Sequence, residues 1–174
     1  MTRSVVLIRD LLRLSTASKK KIDDLKYAEY LFRRHSWKVE KFTDEITKDR
    51  LRLSSYCLST DRQSFKKYNK YRLCVSRSYY AIYHCARAVV YYVHGGDDYQ
   101  EHNVLHKNLP NDFPVRATWD NDIRNARLAR NEADYDPYPL SDATFKGKAT
   151  ANLAKAELFL DVSTIYLKIK GLQI

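Results

Sequence analysis

Residues 71–96, YRLCVSRSYYAIYHCARAVVYYVHGG, contain the pattern that decides the fold. Side chains suited to a core recur there at alternating steps of four and three residues. The repeating positions are Val75, Tyr79, Ile82, Ala86, Val89 and Val93. This spacing lines up one face of a helix, as in the seam of a helical bundle. Gly95 and Gly96 follow, and glycine favours the left-handed conformation that ends helices, so we predict a long helix over residues 71–94.

Patterns on both sides of this stretch predict three more bundle helices. Residues 38–61 have an apolar and a charged face, which is typical of an amphipathic helix. Another helix should begin at Asp120, whose carboxylate can cap free amides, and end within four turns, before Pro137. Ser141 should cap a long final helix. The predicted connections between these helices are residues 62–70 and 97–114.

An N-terminal arm precedes the bundle. Residues 1–37 predict two short helical pieces with a break near Ser15 to Ser18. The chain has only four Gly and four Pro and no convincing alternation of apolar and polar residues, so strands are not expected. We therefore predict an all-α fold: an up-and-down bundle of four main helices over residues 38–174, with a helical extension over residues 1–37.

Charge is unevenly distributed along the 174 residues, which carry a formal net charge of +10. Residues 1–87 hold 21 Lys and Arg against 9 Asp and Glu, whereas residues 88–174 hold 10 against 12. A cationic half attracts polyanions over long range, so RNA, DNA or an acidic protein are candidate partners. A basic surface that only keeps the protein in solution is the alternative.

Other features of the sequence indicate a cytoplasmic protein. No apolar run approaches the roughly 18 residues that a membrane span needs, and charged residues interrupt the apolar patch near the start. Neither a membrane partner nor a secretory signal is expected. Cys57, Cys74 and Cys85 lack the close pairs of zinc or redox sites, which favours reduced and buried thiols.

Fourteen tyrosines are present, and several fall outside the seam of the long helix. Tyr80, Tyr83, Arg87 and Tyr91 share a second face of that helix. Aromatic rings beside a guanidinium group can stack on nucleobases and bind phosphates. Packing in the core or in a dimer interface would explain the same residues.

The segment RLARNEADYDPY, residues 127–138, is dense in groups that could act on a ligand. Arg127, Arg130 and Asp134 lie on one side of the predicted helix, at steps of three and four residues. Asp134 can therefore hold Arg130 in a local ion pair, or both side chains can face a partner helix.

Three segments together resemble the HEPN superfamily of small helical bundles, and its stand-alone prokaryotic group in particular. They are residues 76–96, the connection HNVLHKNLPNDFP at residues 102–114, and residues 127–138. Their order and spacing match the family over about residues 40 to 170. The matching residues are Tyr79, Tyr80, Ala81, His102, Arg130, Ala133, Asp134 and Tyr135.

The resemblance implies a homodimer and a ribonuclease chemistry that needs no metal. In ribonuclease members an Arg-Asn dipeptide is followed by a His and then a Tyr; Arg steadies the scissile phosphate while His moves a proton. Arg130 and Asn131 match the dipeptide, and Tyr138 matches the Tyr, but Asp136 stands where the His is expected. An aspartate in water is ionised at neutral pH, so Asp136 could serve only if burial or a second carboxylate such as Asp134 let it keep a proton.

Two histidines of the connection could replace the missing imidazole if that connection folds back towards Arg130. His102 is the stronger candidate and His106 the weaker. As metal ligands the pair would lack two partners, so neither a metal nor another cofactor is expected. The candidate catalytic residues are Arg130, Asp136 and His102. The candidate RNA- or nucleotide-binding residues are Arg127, Arg87, Tyr80, Tyr83, Asn131, Asp134, Tyr135 and Tyr138.

Three functions stay open at this point. The first is an RNA-directed HEPN protein, either a ribonuclease with a degenerate motif or an RNA binder without catalysis, within a toxin and antitoxin or defence system. The second is a non-catalytic module that pairs with a separately encoded nucleotidyltransferase or senses a nucleotide. The third is a helical adaptor whose tyrosine-rich helix is an oligomer interface.

Overall fold

The computed structural model describes residues 5–33 and 40–174, and every regular element in these ranges is helical. The N-terminal extension comprises two helices, and the bundle comprises four. The helices are α1 Val5–Ser15, α2 Lys19–Phe32, α3 Glu40–Lys66, α4 Tyr71–His94, α5 Arg116–Tyr135 and α6 Lys146–Ile169. Two short 3₁₀ helices are Leu105–Asn108 and Asp142–Phe145. The predicted all-α bundle is confirmed.

Helix α4 lies at the centre of the bundle and packs against α3, α5 and α6. Tyr79, Ile82, Ala86 and Val89 are at most 1% exposed, as the seam predicts, whereas Val93 at the end of the seam is 39% exposed. Burial of these side chains is the main force that holds the four helices together. No helix in residues 5–33 and 40–174 is long and apolar enough to cross a membrane.

Both ends of α4 are capped, but by different means. Gly95 adopts the left-handed conformation, with φ of 73°, and its N–H donates to Tyr91 O at 2.9 Å, as the glycine pair predicts. At the other end the Asp142 carboxylate accepts from the backbone N–H of Tyr71 at 2.5 Å and of Arg72 at 3.0 Å. This cap comes from a residue 70 positions away.

Three of the expected helix boundaries are wrong. Helix α3 continues to Lys66, because the buried Ser64 extends the inward face beyond residue 61. Helix α5 begins at Arg116 and is longer than four turns; Asp120 does not cap it but accepts a hydrogen bond from His106 Nδ1 at 2.6 Å. Ser141 makes no side-chain cap, and a 3₁₀ turn separates it from α6.

The described part of the N-terminal arm packs against the bundle. Its break between α1 and α2 falls at residues 16–18, as predicted. Leu11, Ala17 and Ile22 form a buried cluster with Ile46 of α3 and Tyr91 of α4. Residues 34–39, where the predicted boundary between arm and bundle falls, lie outside the described residues.

Candidate functional site

His102 lies in the connection after α4 and contacts three tyrosines of that helix. Its Nδ1 is 2.5 Å from the Tyr79 hydroxyl. Its ring stacks on Tyr83, with 4.3 Å between the ring centroids and 24° between the planes, and meets Tyr80 edge-on at 6.4 Å. Residue 102 is nevertheless exposed, so one edge of the imidazole faces solvent.

The hydrogen bond from Tyr79 determines which nitrogen of His102 carries the proton. Tyr79 is 1% exposed, and burial raises the pKa of its phenol, so the hydroxyl stays protonated. Within the described residues its one hydrogen-bond partner is His102 Nδ1. A buried O–H must donate to an available acceptor, so Nδ1 accepts and the neutral imidazole carries its proton on Nε2.

His102 is also kept neutral. Partial burial lowers the pKa of its imidazole, and the positive charges of Arg130, Arg127 and Arg87 lower it further. A neutral ring with Nε2–H is a hydrogen-bond donor at neutral pH. It can give that hydrogen bond to a phosphate oxygen or to a base.

Arg130 of α5 lies on the other side of Tyr80. Its Nη2 donates to the Tyr80 hydroxyl at 2.6 Å, and its Nη1 donates to Asn131 Oδ1 at 3.1 Å. Its Nε is 2.7 Å from Asp134 Oδ2, an ion pair in which the N–H does not point straight at the oxygen. Tyr135 covers the guanidinium, with 5.0 Å from its ring centroid to Cζ. Arg130 is thus held firmly in place, and part of its charge is compensated.

Arg127, one turn earlier on α5, has a different environment. It is half-buried, and its Nε is buried without a hydrogen-bond partner. It makes no ion pair with any described carboxylate, yet its charge acts on both His102 and Tyr79. A desolvated cation without a counter-ion favours binding of an anion.

Two residues expected to face a nucleic acid are engaged within the chain. Arg87 Nε donates to Asp97 Oδ1 at 2.9 Å, and its Nη2 also contacts that carboxylate. Tyr83 is 8% exposed and donates to Gln100 O at 2.7 Å, while His102 covers the ring face on which a nucleobase would stack. Packing within the chain, the alternative that the sequence left open, therefore accounts for Arg87 and Tyr83, because the connection after α4 folds over them.

Tyr91, on the same face of α4, is covered by the N-terminal arm. It is 1% exposed and packs against Leu11, Ala17 and Ile22. Burial against α1 and α2 excludes it from any outer binding surface.

The comparison with protein families decides the family. The family model for the HEPN domain matches residues 47–166, more than half of the 174-residue chain. The chain belongs to the HEPN family. The match includes His102 and Arg130, and it is consistent with an RNA-associated or nuclease-like function. Neither the curated proteins nor the solved structures contain a significant match.

The remaining candidates of the HEPN motif surround the end of α5. Asp136 is exposed, its N–H donates to Glu132 O at 3.2 Å, and its carboxylate makes no hydrogen bond or ion pair with the described residues. Asp134 contacts Arg130 and Ser76 instead, and no contact joins its carboxyl group to that of Asp136. The expected pairing of the two aspartates is therefore not observed, because the helix ends at Tyr135 and turns Asp136 away.

Exposed aromatic rings extend this surface of the HEPN bundle. Tyr135 is 69% exposed and Tyr138 is 73% exposed, so both could contact a ligand. Asn131 is exposed as well. His106, in contrast, is 3% exposed and bonded to Asp120, and it does not contribute to this surface.

Tyr79 is the residue of the site that sequence reasoning undervalued. Its heptad position assigned it to the core seam, and its ring is indeed buried. The signal that could have been noticed is its hydroxyl, because a tyrosine in a seam otherwise filled by aliphatic side chains needs a polar partner.

The described residues contain no group of three or more His, Cys, Asp or Glu side chains that could hold a metal ion. Cys57, Cys74 and Cys85 are free thiols and buried, as predicted. Burial raises the pKa of the Cys85 thiol to about 12, so this thiol is not a nucleophile at neutral pH.

Proposed function

We propose that this HEPN protein binds RNA through a phosphate held by Arg127, Arg130 and His102. The observation that carries the proposal is Arg127, a half-buried guanidinium with no acidic partner among the described residues, beside the neutral imidazole of the exposed residue His102. A phosphate supplies the missing negative charge, and guanidinium groups bind phosphate oxygens with two N–H donors. The Nε2–H of His102 adds a further donor.

The surroundings of these three residues support a single strand of RNA as the ligand. Tyr135 lies over Arg130, Tyr138 follows it three residues later, and both are exposed and offer ring faces on which bases can stack. The positive charge of residues 1–87 raises the local concentration of a polyanion and releases counter-ions when it binds.

Fluorescence anisotropy with a labelled single-stranded RNA and a labelled hairpin, over a salt series, tests this proposal. Arg127→Gln should weaken binding about tenfold and reduce the slope of log affinity against log salt by about one. The matched control is Arg124→Gln, an exposed cation on the same helix, which should bind like the wild type. The proposal is wrong if the wild type shows no salt-dependent binding, or if both variants weaken it equally.

Metal-independent ribonuclease activity is a second candidate, favoured by the position of Tyr80 between Arg130 and His102. Arg130 would stabilise the charge that develops on the phosphate. His102 would take the proton of the ribose 2′-hydroxyl at Nε2. The single proton of the neutral imidazole must then lie on Nδ1 instead of Nε2 and bond to the Tyr79 oxygen. The tautomer that the buried Tyr79 favours is the opposite one, so the geometry supports binding better than cleavage.

Incubation of RNA with the protein in EDTA, which removes metal ions, tests for metal-independent cleavage. The ends of the RNA products are then analysed. A ribonuclease of this kind yields 2′,3′-cyclic phosphate ends, and His102→Gln abolishes them while Asp136→Asn does not. Loss of cleavage in Asp136→Asn alone would assign the proton transfer to Asp136. Binding without any cleavage would leave an RNA-binding HEPN protein.

The homodimer and the nucleotidyltransferase partner stay predictions within this proposal, as do the cytoplasmic location and a toxin and antitoxin or defence role. A dimer would place two copies of the basic surface on one RNA. Light scattering measures the mass in solution, and co-purification with a tagged nucleotidyltransferase encoded beside this chain tests the partner.

A further inference from the structure

A cavity of about 330 Å³ lies between α1, α3 and α4, and neither Arg127, Arg130 nor His102 lines it. Its walls are apolar and come from α1 and α3, with Leu11, Ile46 and Leu53 among them. At its polar end lie Arg50 and Arg87. Small-molecule sites have this composition, mostly apolar walls with a few polar groups that converge at one end.

The polar end of the cavity carries an excess of positive charge. Arg50 Nη1 and Arg87 Nε both donate to Asp97 Oδ1 at 2.9 Å, so two guanidinium groups share one carboxylate. The side chains of Arg50 and Asp97 are 8% and 2% exposed, and water therefore screens little of this charge. Arg50 also bonds to Ser15 O, a carbonyl that carries no full charge.

The other ionisable groups around the cavity do not cancel this excess. Asp49 also lines the cavity, but its carboxylate pairs with Arg52 at 2.7 Å. Burial lowers the pKa of His84 to about 4, so this imidazole is neutral at neutral pH. Arg87 Nη1 has no hydrogen-bond partner among the described residues and is available as a donor.

We propose that this cavity binds a small amphipathic carboxylate, with its carboxylate on Arg87 and Arg50 and its apolar body between α1 and α3. The anion neutralises the charge that Asp97 leaves uncompensated. One water molecule takes up about 30 Å³ of liquid, so the cavity has room for a ligand the size of about ten water molecules, such as a medium-chain or aromatic acid. The site is separate from the RNA site, and its ligand need not be a nucleotide.

Isothermal titration calorimetry with octanoate tests the proposal on the full chain. Octanol and octylamine have the same apolar body with a neutral or a cationic head. Octanoate should bind about tenfold more tightly than octanol, because it alone forms charge-assisted hydrogen bonds with the arginines, and octylamine should not bind. Equal affinity for the three compounds, or none for octanoate, overturns the proposal.

Two tryptophan variants on α3 locate the site without removing a buried charge. Leu53→Trp fills the cavity and should abolish octanoate binding. Tyr56→Trp is the matched control, because Tyr56 is 66% exposed on the same helix and does not line the cavity, so octanoate binding should persist. Unchanged binding in Leu53→Trp, or loss in both variants, would contradict the proposed site.

Discussion

At the scale of single residues, the chemistry of His102 depends on neighbours that are distant in sequence. Tyr79 supplies the hydroxyl that holds Nδ1, and arginines from two helices keep the ring neutral. The identity of residue 102 alone predicts none of this, because an exposed histidine in a loop titrates near its ordinary value. The described contacts turn an ordinary loop histidine into a fixed donor.

The first prediction concerns the pKa of His102. Arg127→Gln removes a nearby positive charge that opposes protonation of the imidazole, so the pKa of His102 should rise. NMR titration of the histidine side chains measures it. Arg124→Gln, which removes an equal charge from the same helix, should leave the His102 titration unchanged. An unchanged His102 titration in Arg127→Gln would place the two side chains farther apart than the structure does.

Asp61, which is buried, and His84, which is half-buried, make opposite contributions to stability between pH 4 and 7. Burial raises the pKa of Asp61 to about 6. The hydrogen bond from Ser78 and the positive charge of Arg62 lower this pKa, and the negative charge of Glu157 raises it, but burial has the largest effect. Burial lowers the pKa of His84 to about 4. Asp61 thus contributes stability below pH 4 that is lost as the pH rises to about 6. His84 contributes stability above its unfolded pKa that is lost as the pH falls towards 4.

The second prediction separates these two contributions. Each shift corresponds to about 3 kcal/mol of unfolding free energy, since one pKa unit is worth about 1.4 kcal/mol. Relative to the wild type, Asp61→Asn should gain stability as the pH rises from 4 to 7, and His84→Gln should lose it. Urea unfolding of the three proteins at pH 4, 5.5 and 7 gives these differences. Parallel pH profiles for all three would contradict the buried positions of both groups.

At the scale of elements, local signals account for α4 but not for the start of α5. The alternating spacing and Gly95 act within one or two turns, so they predicted α4 over residues 71–94 correctly. Asp120 has the side chain of a helix cap, but His106 engages it, and α5 begins one turn earlier. The cap that α4 does use, Asp142, comes from another part of the chain.

The third prediction tests that cap. Asp142→Ala removes the acceptor for two backbone N–H groups of α4 and should destabilise the protein by about 1 to 2 kcal/mol in urea unfolding. Ser141→Ala is the control, because Ser141 makes no side-chain cap, and its effect should stay below about 0.5 kcal/mol. Equal effects of the two substitutions would show that the carboxylate of Asp142 is not what stabilises the start of α4.

At the scale of the whole molecule, Asp97 joins the arm to the bundle. Its carboxylate pairs with Arg50 of α3 and Arg87 of α4, and its backbone N–H donates to Ala17 O at 2.9 Å. Nearly complete burial makes this pairing sensitive to the loss of either charge. The backbone and side chain of this one residue therefore link the arm, both helices and the connection that carries His102.

The fourth prediction follows from that position. Asp97→Asn leaves the buried guanidinium of Arg50 and the half-buried one of Arg87 without a counter-charge and should destabilise the protein by about 3 to 5 kcal/mol. Hydrogen exchange should accelerate first in residues 5–33. Glu157→Gln, at an exposed ion pair with Arg62, is the matched control and should change little. Unchanged stability in Asp97→Asn would mean that the ion pairs of Asp97 with Arg50 and Arg87 do not stabilise the fold.

The sequence by itself determined the helical class, the extent of α4 and the family, because periodicity, a glycine pair and the order of short motifs are local properties of the chain. Only the tertiary structure decided that Asp97 engages Arg87, that His102 covers Tyr83 and that Arg127 pairs with no carboxylate in residues 5–33 and 40–174. These contacts join residues from different elements. Packing of the whole bundle selects them, and no pattern along the chain encodes which charges meet.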